Sequence, residues 1–240
     1  MTLYLIGLGL DKNSISADAL KILKLADRVY LENYTVNFPY SKKELENSLN
    51  TKIEELSREK VEDESIIKQA KEKNIALLVY GDTLSATTHM HLILACKKEK
   101  IDYQLFHNAS IITAIASTGL QAYKFGKTAS MPNWKEHKNK PTSFINYIKG
   151  NKSIDAHTLV LTDIGLEINE AIEQLEEASL KENIKIDKLI VISNAGTKNQ
   201  KIFYDKLDNL KEIKIKMPFC MIIPSKLHFI EEEALSKLKE

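Results

Sequence analysis

Short apolar runs alternate with amphipathic stretches along most of the chain. The run Leu3–Leu8 is bounded by glycine, and the continuous run Ile75–Tyr80 ends at Gly81, as expected of a strand buried on both faces of a sheet. Helical patterns lie between such runs, and one of them follows Ser16, a residue that can cap a helix. This alternation of strands and helices predicts a mainly parallel sheet.

The pattern is interrupted between Gly119 and Pro141 by prolines and the only tryptophan, which favours a hinge with one short strand and a loop. It then restarts. The further elements predicted are a helix around Thr142–Lys149, a strand at Thr158–Thr162, a helix at Glu167–Lys181, a strand at Leu189–Ser193, one or two strands within Ile213–Ile223, and a last helix with Leu227, Ile230, Ala234 and Leu238 on its inner face. The predicted fold class is therefore α/β, with two α/β domains at 1–112 and 113–240.

Composition and charge narrow the possible classes of function. Apolar residues make up 43% of the chain, and the 34 Lys and Arg residues nearly balance 33 Asp and Glu, so no basic excess favours a nucleic-acid partner. Cys96 and Cys220 lie in apolar runs, which indicates buried thiols in a reducing compartment. The N-terminus has no signal-peptide pattern, and no apolar run approaches the roughly 20 residues that span a bilayer. We expect a soluble, cytoplasmic protein without a membrane partner.

The loops after the predicted strands carry the candidate chemistry. Gly7 and Gly9 could let backbone approach a ligand, but Lys12 stands where a dinucleotide fingerprint needs a third glycine, so a tight turn is the commoner explanation. Asp82 follows the most convincing buried strand, at the edge of the sheet where α/β proteins bind ligands, and could accept hydrogen bonds from a ribose or an amine. The threonine pair beside it is equally consistent with a simple helix cap.

Other strand-end loops are less specific when taken one at a time. Ser110 is expected to cap the helix that follows it, with His107 as an ordinary loop histidine. Asp163 and the segments 193–196 and 218–228 also lie at predicted strand ends. No spacing of His, Cys, Asp and Glu is typical of a metal site, so we expect no metal. A nucleophile elbow and a phosphate-binding loop are also missing from the sequence.

Taken together, nine segments resemble the diphthine synthase family, which belongs to the tetrapyrrole-methylase-like group of methyltransferases. In chain order they are LYLIGLGL at 3–10, LSREKVE at 56–62, GDTLSATTH at 81–89, HNASIITAI at 107–115, GLQAYKFGKT at 119–128, NW at 133–134, PTSF at 141–144, HTLVLTDI at 157–164 and PSKLH at 224–228. The segments run through essentially the whole chain, and several are long and specific.

The resemblance implies a tetrapyrrole-methylase-like fold of two α/β domains with a cofactor cleft between them. It implies S-adenosyl-L-methionine as the methyl donor, bound by Leu10, Asp82, Ser85, Ser110, Ile111, Thr162, Ala195 and Phe219. It also implies a homodimer whose protein substrate is translation elongation factor 2. On that substrate the family successively N-methylates the amino group of a 3-amino-3-carboxypropyl-histidine to give diphthine, a step of diphthamide biosynthesis.

The sequence departs from the family pattern at three places. These departures are expected to affect binding of the protein substrate (the grip) more than binding of the cofactor. Thr83 stands where proline or phenylalanine is usual. Ser193 and Asn194 stand where an Ala-Arg pair is usual, so a positive charge is missing. The segment after Asp163 is shorter and lacks a basic, aromatic stretch. Candidates for the grip are the lysine-rich segment Lys124–Lys140 and the tryptophan within it.

The sequence does not assign a general base. Asp163 and His107 are the two candidates for accepting the proton of the amine. Tyr123, Phe125 and Trp134 could supply aromatic faces for a growing cation. Packing in a core or hinge is the alternative for all three, most of all for Phe125.

Two other functions stay open at this point. One is a methyltransferase of the same fold that acts on a tetrapyrrole or a ribosomal RNA ribose, against which the near-zero net charge and the HNASI and YKFG segments weigh. The other is a non-catalytic subunit that binds S-adenosylmethionine and regulates a partner, a hypothesis that the change at Asn194 keeps open.

Overall fold

The computed structural model describes residues 1–63 and 65–238, and the chain divides into two compact units. The first unit ends at Ala114 and the second begins at Ile115, two residues after the boundary expected from the sequence. Within the described residues each unit holds a five-stranded sheet together with helices. The α/β class is therefore confirmed.

The sheet of the first unit is parallel throughout, as the sequence pattern predicts. Its strands are β1 (Thr2–Gly7), β2 (Arg28–Glu32), β3 (Glu54–Leu56), β4 (Ile75–Val79) and β5 (Asp102–Phe106). They are arranged in the order β3-β2-β4-β1-β5. Because neighbouring parallel strands end at the same edge of a sheet, the loops after β4, β1 and β5 lie side by side.

Apolar side chains on both faces hold this sheet in place. Leu3 and Leu5 of β1 pack into one core, whereas the alternate residues Tyr4 and Ile6 pack into another. Burying one such side chain stabilises the fold by about 1.5–3 kcal/mol. A strand with two buried faces needs apolar residues at every position, which explains the uninterrupted run in the sequence.

The helices of the first unit lie between its strands, as the alternating pattern predicts. They are α1 (Ala17–Leu23), α2 (Lys42–Leu49), α3 (Arg58–Glu62), α4 (Ser65–Ala70), α5 (Met90–Glu99) and α6 (Ile111–Ala114). Ser16 caps α1 through a hydrogen bond from the Ala19 N–H at 3.2 Å, as predicted. The helix expected after Ser110 is α for one turn only, since residues 115–118 continue it as a 3₁₀ helix.

The sheet of the second unit differs from the prediction, because most of its strand pairs are antiparallel. Its strands are β6 (Ala129–Met131), β7 (Thr158–Thr162), β8 (Lys188–Ser193), β9 (Lys201–Lys206) and β10 (Phe219–Ile223), in the order β6-β7-β10-β8-β9. Among the described strands of this unit only β6 and β7 pair in parallel, so a mainly parallel sheet was the wrong prediction for this unit. The sequence also missed β9, a half-exposed strand that lacks a continuous apolar run.

The helices of the second unit include one whose buried face was predicted wrongly. They are α7 (Ser143–Ser153), α8 (Ile168–Lys181), α9 (Leu207–Lys211) and α10 (Phe229–Lys237). In α10 the buried residues are Glu231 and Leu235, and Ile230 is 51% exposed. On the buried face the Glu231 carboxylate accepts hydrogen bonds from the Gln121 N–H and from His157, and a charged residue in such a place does not show in an apolar pattern.

Both cysteines are buried, as their apolar surroundings in the sequence predict. Burial raises the pKa of Cys96 to about 11 and that of Cys220 to about 12. Both thiols are therefore protonated at neutral pH and are poor nucleophiles.

Candidate functional site

Three loops meet at the carboxyl edge of the first unit's sheet, after β1, β4 and β5. The first two loops are joined by a pair of backbone hydrogen bonds between Gly9 and Gly81, at 3.0 and 2.9 Å. Tyr80 adds a side-chain link, since its hydroxyl donates to the Leu10 carbonyl at 3.1 Å. The loop after β1 is thereby fixed against the end of β4.

The glycine pair after β1 is explained by the protein's own packing. A Cβ at Gly7 would lie 2.7 Å from the Gly81 carbonyl oxygen, and one at Gly9 would lie 2.7 Å from the Cβ of Ser14. Gly9 also has a φ of +71°, a conformation that side chains other than glycine rarely adopt. Because these glycines have no Cβ, the three loops can pack closely together. The sequence predicted only a tight turn at this place.

Asp82 is the centre of the hydrogen bonding in this region. Its Oδ1 accepts from the Leu84 N–H and the Ser85 hydroxyl, both at 3.0 Å. Its Oδ2 accepts from His107 Nδ1 at 2.8 Å and from the Asn108 N–H at 3.1 Å. The carboxylate thus closes its own loop and ties it to the loop after β5.

The environment of Asp82 favours its ionised form. The residue is only 7% exposed, and this burial raises its pKa. The hydrogen bonds from Leu84, His107, Asn108 and Ser85 lower the pKa by more, so the net value is below that of an ordinary aspartate. A carboxylate with four donors is a firm anchor for both loops.

His107 is oriented by this carboxylate. Because Asp82 can only accept when ionised, His107 Nδ1 carries the proton and donates it. In the neutral ring the other nitrogen, Nε2, then holds a lone pair, and the side chain is 63% exposed. The ordinary loop histidine expected from the sequence is therefore an imidazole with a defined tautomer, which is what a general base requires.

Asn108 is a residue whose role the sequence did not predict. Its side-chain amide donates to the Gly7 carbonyl at 3.0 Å and to the Ser14 carbonyl at 2.9 Å. Its Oδ1 accepts from the N–H of the next residue. The side chain thereby joins the loop after β5 to the loop after β1. Its place in the HNASI segment is the one signal that could have indicated this role.

The remaining predicted residues of the first unit lie in the same three loops. Ser110 caps α6 as predicted, because its hydroxyl accepts from the Ile112 N–H at 3.2 Å. Ile111 is the first residue of that helix. Leu10 and Ser85 lie in the loops after β1 and β4. The structure therefore brings all five predicted residues of this unit to one edge of one sheet.

The predicted residues of the second unit also share a sheet edge. Thr162 ends β7, Ala195 follows the end of β8, and Phe219 begins β10. Since β10 lies between β7 and β8 and is antiparallel to both, its start adjoins their ends. Asp163 lies at the same edge, where its Oδ2 accepts from the Asn133 N–H at 2.8 Å.

The turn at Asn194, where the sequence departs from its family, is held by backbone and side-chain contacts. Asn194 has a left-handed φ of 51°, its N–H donates to the Pro218 carbonyl at 2.8 Å, and its amide donates to the Ser193 hydroxyl at 3.0 Å. Asparagine tolerates this conformation better than most residues. The turn is therefore well formed although Asn194 lacks the positive charge that is usual at this position in the family.

The lysines suggested as a grip and the aromatic residues suggested as faces for a cation are largely engaged within the unit. Lys124 forms an ion pair with Glu231 at 2.6 Å, and Lys140 forms one with Glu177 at 2.6 Å. Trp134 is 9% exposed, and its indole N–H donates to a backbone carbonyl. Phe125 packs edge-on against His157, in agreement with a packing role. Tyr123 differs from these residues, because it is 81% exposed.

Within residues 1–63 and 65–238, no three His, Cys, Asp or Glu side chains form a group that could hold a metal ion. Over the same part of the chain, no helix has the length and apolar character needed to cross a membrane.

Comparison with known proteins shows which family the chain belongs to. A family model of tetrapyrrole (corrin/porphyrin) methylases matches residues 2–211. Diphthine synthases of Methanocaldococcus jannaschii and Archaeoglobus fulgidus are 37% and 36% identical, over 99% of this chain and over 99% and 96% of their own lengths. A crystal structure of diphthine synthase superposes with a TM-score of 0.90 at 36% identity, covering 99% of this chain and 96% of the other. The chain therefore belongs to the diphthine synthase family of tetrapyrrole methylases and is an S-adenosylmethionine-dependent methyltransferase of diphthamide biosynthesis.

Proposed function

We propose that the protein successively N-methylates the amino group of the 3-amino-3-carboxypropyl-histidine of translation elongation factor 2, giving diphthine. The observation that carries this proposal is a match to diphthine synthases over 99% of the chain. It is supported by the ordered loops after β1, β4 and β5, in which the segments that resemble the family are fully connected by hydrogen bonds.

The proposed contacts to S-adenosyl-L-methionine fall into two groups, one in each unit. They are Leu10, Asp82, Ser85, Ser110 and Ile111 in the first unit and Thr162, Ala195 and Phe219 in the second. The donor set suits a ligand with polar and apolar parts, since it offers backbone amides and carbonyls, hydroxyls and apolar side chains. Because Asp82 already accepts four hydrogen bonds from the protein, we assign it mainly to holding the loops in shape.

When bound, the cofactor supplies a methyl group on a positively charged sulfur. The task of the protein is to align the substrate amine with that methyl group, and most of the rate gain comes from this positioning. An amine with a lysine-like pKa is mostly protonated at pH 7, so a proton has to leave before each transfer. An apolar wall beside the amine would lower its pKa without a dedicated base.

Of the two candidate bases, His107 has the more suitable geometry. Its Nδ1 is held by Asp82, which leaves the lone pair on Nε2 on a largely exposed side chain. Asp163, in contrast, accepts a backbone hydrogen bond from Asn133. We therefore propose His107 as the acceptor of the amine proton and Asp163 as a residue that shapes its loop.

The proposed partners follow from the family. The substrate is a folded protein, the enzyme is a homodimer, and both are cytoplasmic. Tyr123 is the residue we propose for contact with the substrate, because it is an aromatic side chain that is 81% exposed. Trp134 is less suited to this role, since Lys140 and Lys181 lie over its buried ring.

The experiment that tests the function uses labelled S-adenosylmethionine and purified elongation factor 2. The factor that carries the 3-amino-3-carboxypropyl-histidine should gain mass in steps of one methyl group, and a factor with unmodified histidine should gain none. A His107→Gln variant should retain cofactor binding and lose most of the turnover. Equal labelling of both forms of the factor would contradict the proposal.

The two alternative functions have less support. The matching relatives named above are diphthine synthases, which does not favour a tetrapyrrole or a ribosomal RNA ribose as substrate. Multiple turnovers in the experiment above would exclude a non-catalytic regulatory subunit.

A further inference from the structure

A buried pair of titratable side chains lies beside the loop that carries Asp82 and Ser85. Glu32 ends β2, and His89 directly precedes α5; both side chains are 0% exposed. β2 is a direct neighbour of β4 in the sheet, so the pair lies at the same edge as the proposed cofactor loops. The methyl-transfer mechanism proposed above makes no use of either residue.

The tautomer of His89 follows from its hydrogen-bond partner. Its Nδ1 lies 3.2 Å from the Thr83 carbonyl oxygen, and a carbonyl can only accept. Nδ1 therefore carries the proton. In the neutral ring Nε2 is then an acceptor, and among the described residues it has no hydrogen-bond partner.

The atom that faces His89 Nε2 is Glu32 Oε2, at 3.6 Å. Glu32 Oε1 accepts from the N–H of Tyr34 at 3.0 Å and from the N–H of Thr35 at 2.9 Å, and the Thr35 hydroxyl lies 2.8 Å from Oε1 and 2.9 Å from Oε2. Without a further proton, two acceptors would face each other in a fully buried site, which is costly. One proton between them removes that cost, and a shift of a few tenths of an ångström would complete the hydrogen bond.

The charged groups around the pair are few. Arg58 lowers the pKa of Glu32 only weakly against burial, which raises it, and the net pKa is raised. Burial lowers the pKa of His89, and nearby His91 lowers it further. Arg58 lies over the Tyr34 ring at 5.6 Å from its centroid, and Glu62 is paired with Arg58 at 3.4 Å. The surroundings therefore favour a pair that is neutral overall, in agreement with one shared proton.

We propose that Glu32 and His89 are positioning residues that share one proton, and that this proton holds the loop of Asp82 and Ser85 in the form that binds the cofactor. His89 connects to that loop through Thr83, whose carbonyl also accepts from the Thr87 hydroxyl at 3.1 Å. The proton lies on Glu32 Oε2 or on His89 Nε2, and loss of it as the pH rises leaves two acceptors in contact. This inference rests on the proposed cofactor site.

The test compares Glu32→Gln with Glu32→Met in the full-length protein. Glutamine keeps the acceptor for Tyr34 and Thr35 and offers a permanent N–H donor to His89, whereas methionine offers neither. Affinity for S-adenosylhomocysteine is measured by calorimetry over a series of pH values from mildly acidic to alkaline. The wild type should lose affinity by about tenfold as the shared proton leaves. Glu32→Gln should show no such loss, and Glu32→Met should bind weakly at every pH.

Nitrogen NMR of the His89 ring supplies a second measurement that does not depend on any ligand. We expect a protonated Nδ1 throughout and a hydrogen-bonded Nε2 whose signal changes when the shared proton is lost. A proton on Nε2 with a bare Nδ1, or identical pH profiles for wild type and Glu32→Gln, would overturn the proposal. A wild type that binds no S-adenosylhomocysteine would refute the cofactor site and the role of the loop, while the NMR signal would still decide whether the proton is shared.

Discussion

Among the described residues two glutamates are completely buried, one in each unit, and their surroundings differ. Glu231 accepts four hydrogen bonds, from Lys124 at 2.6 Å, His157 at 3.2 Å, and two backbone N–H groups. Glu32 accepts from neutral donors only, and its nearest imidazole nitrogen is 3.6 Å away. Both side chains are 0% exposed, so burial alone does not distinguish them.

The pKa values of the two carboxyl groups are consequently shifted in opposite directions. Burial raises the pKa of Glu231, but the hydrogen bonds from His228, Lys124, Gln121 and His157 lower it by more, to about 2. For Glu32, burial outweighs the hydrogen bonds and the pKa is raised. A buried carboxylate that is fully paired thus serves as a fixed junction, whereas a partly paired one can hold a proton.

Loss of the fixed junction should have the largest effect on stability. Glu231→Ala removes the common acceptor of Lys124, of the buried His157 and of two backbone N–H groups, and it leaves these donors without that partner. We expect a loss of about 3–5 kcal/mol in the free energy of unfolding, measured by urea denaturation.

The matched control for that variant is Glu233→Ala, on the same helix but exposed, which should change stability by no more than about 0.5 kcal/mol. Equal effects of the two variants would show that Glu231 is not a junction. The contrast between a fully paired Glu231 and a partly paired Glu32 would then be wrong.

The third carboxylate of the comparison is Asp82, which has four donors but lies near the surface. Asp82→Ala should weaken binding of S-adenosylmethionine by about 1.5–3 kcal/mol, because both loops lose their common acceptor. Calorimetry measures this loss, and circular dichroism checks that the fold survives. Ser85→Ala removes one of the four donors and should cost less. Unchanged affinity in Asp82→Ala would mean that Asp82 only closes its own turn.

The pH dependence of stability separates the two glutamates. Glu231 has a lowered folded pKa, so its contribution is present above the unfolded value of about 4.3 and is lost as the pH falls toward 2. Glu32 has a raised pKa, so its contribution is present below about 4.3 and is lost as the pH rises through the folded value.

Wild-type stability should decline as the pH rises through the folded pKa of Glu32. Glu32→Gln should therefore reduce this decline and leave the dependence of stability on acidic pH unchanged. Thermal unfolding over a series of pH values provides the measurement. A variant whose curve is parallel to that of the wild type over the whole range would show that Glu32 does not take up a proton on folding.

The smallest expected effect concerns Thr83, whose buried hydroxyl has no hydrogen-bond partner among the described residues. Thr83→Val keeps the shape of the side chain and removes that polar group, so we expect a gain of about 1 kcal/mol in stability. Thr87→Val is the control, since it removes a donor to the Thr83 carbonyl and should destabilise. A destabilised Thr83→Val would indicate a partner for the hydroxyl, such as a buried water.

Much of the first unit could be predicted from local pattern. Its continuous apolar runs indicated strands with two buried faces, and Ser16 and Ser110 were correctly expected to cap helices. The second unit was less predictable. The direction of β10 depends on long-range pairing with β7 and β8, and the half-exposed β9 has only a weak apolar pattern.

The sequence by itself determined the fold class, the family and the loops in which the candidate residues lie, because these depend on apolar periodicity and on motifs continuous in the chain. Only the tertiary structure decided what the polar side chains in those loops contact. It joined Asp82 to His107 and Asn108, and it placed His89 against Glu32 across more than fifty residues of chain. Such pairings depend on which strands are neighbours in a sheet, and strand order cannot be predicted from any local stretch of sequence.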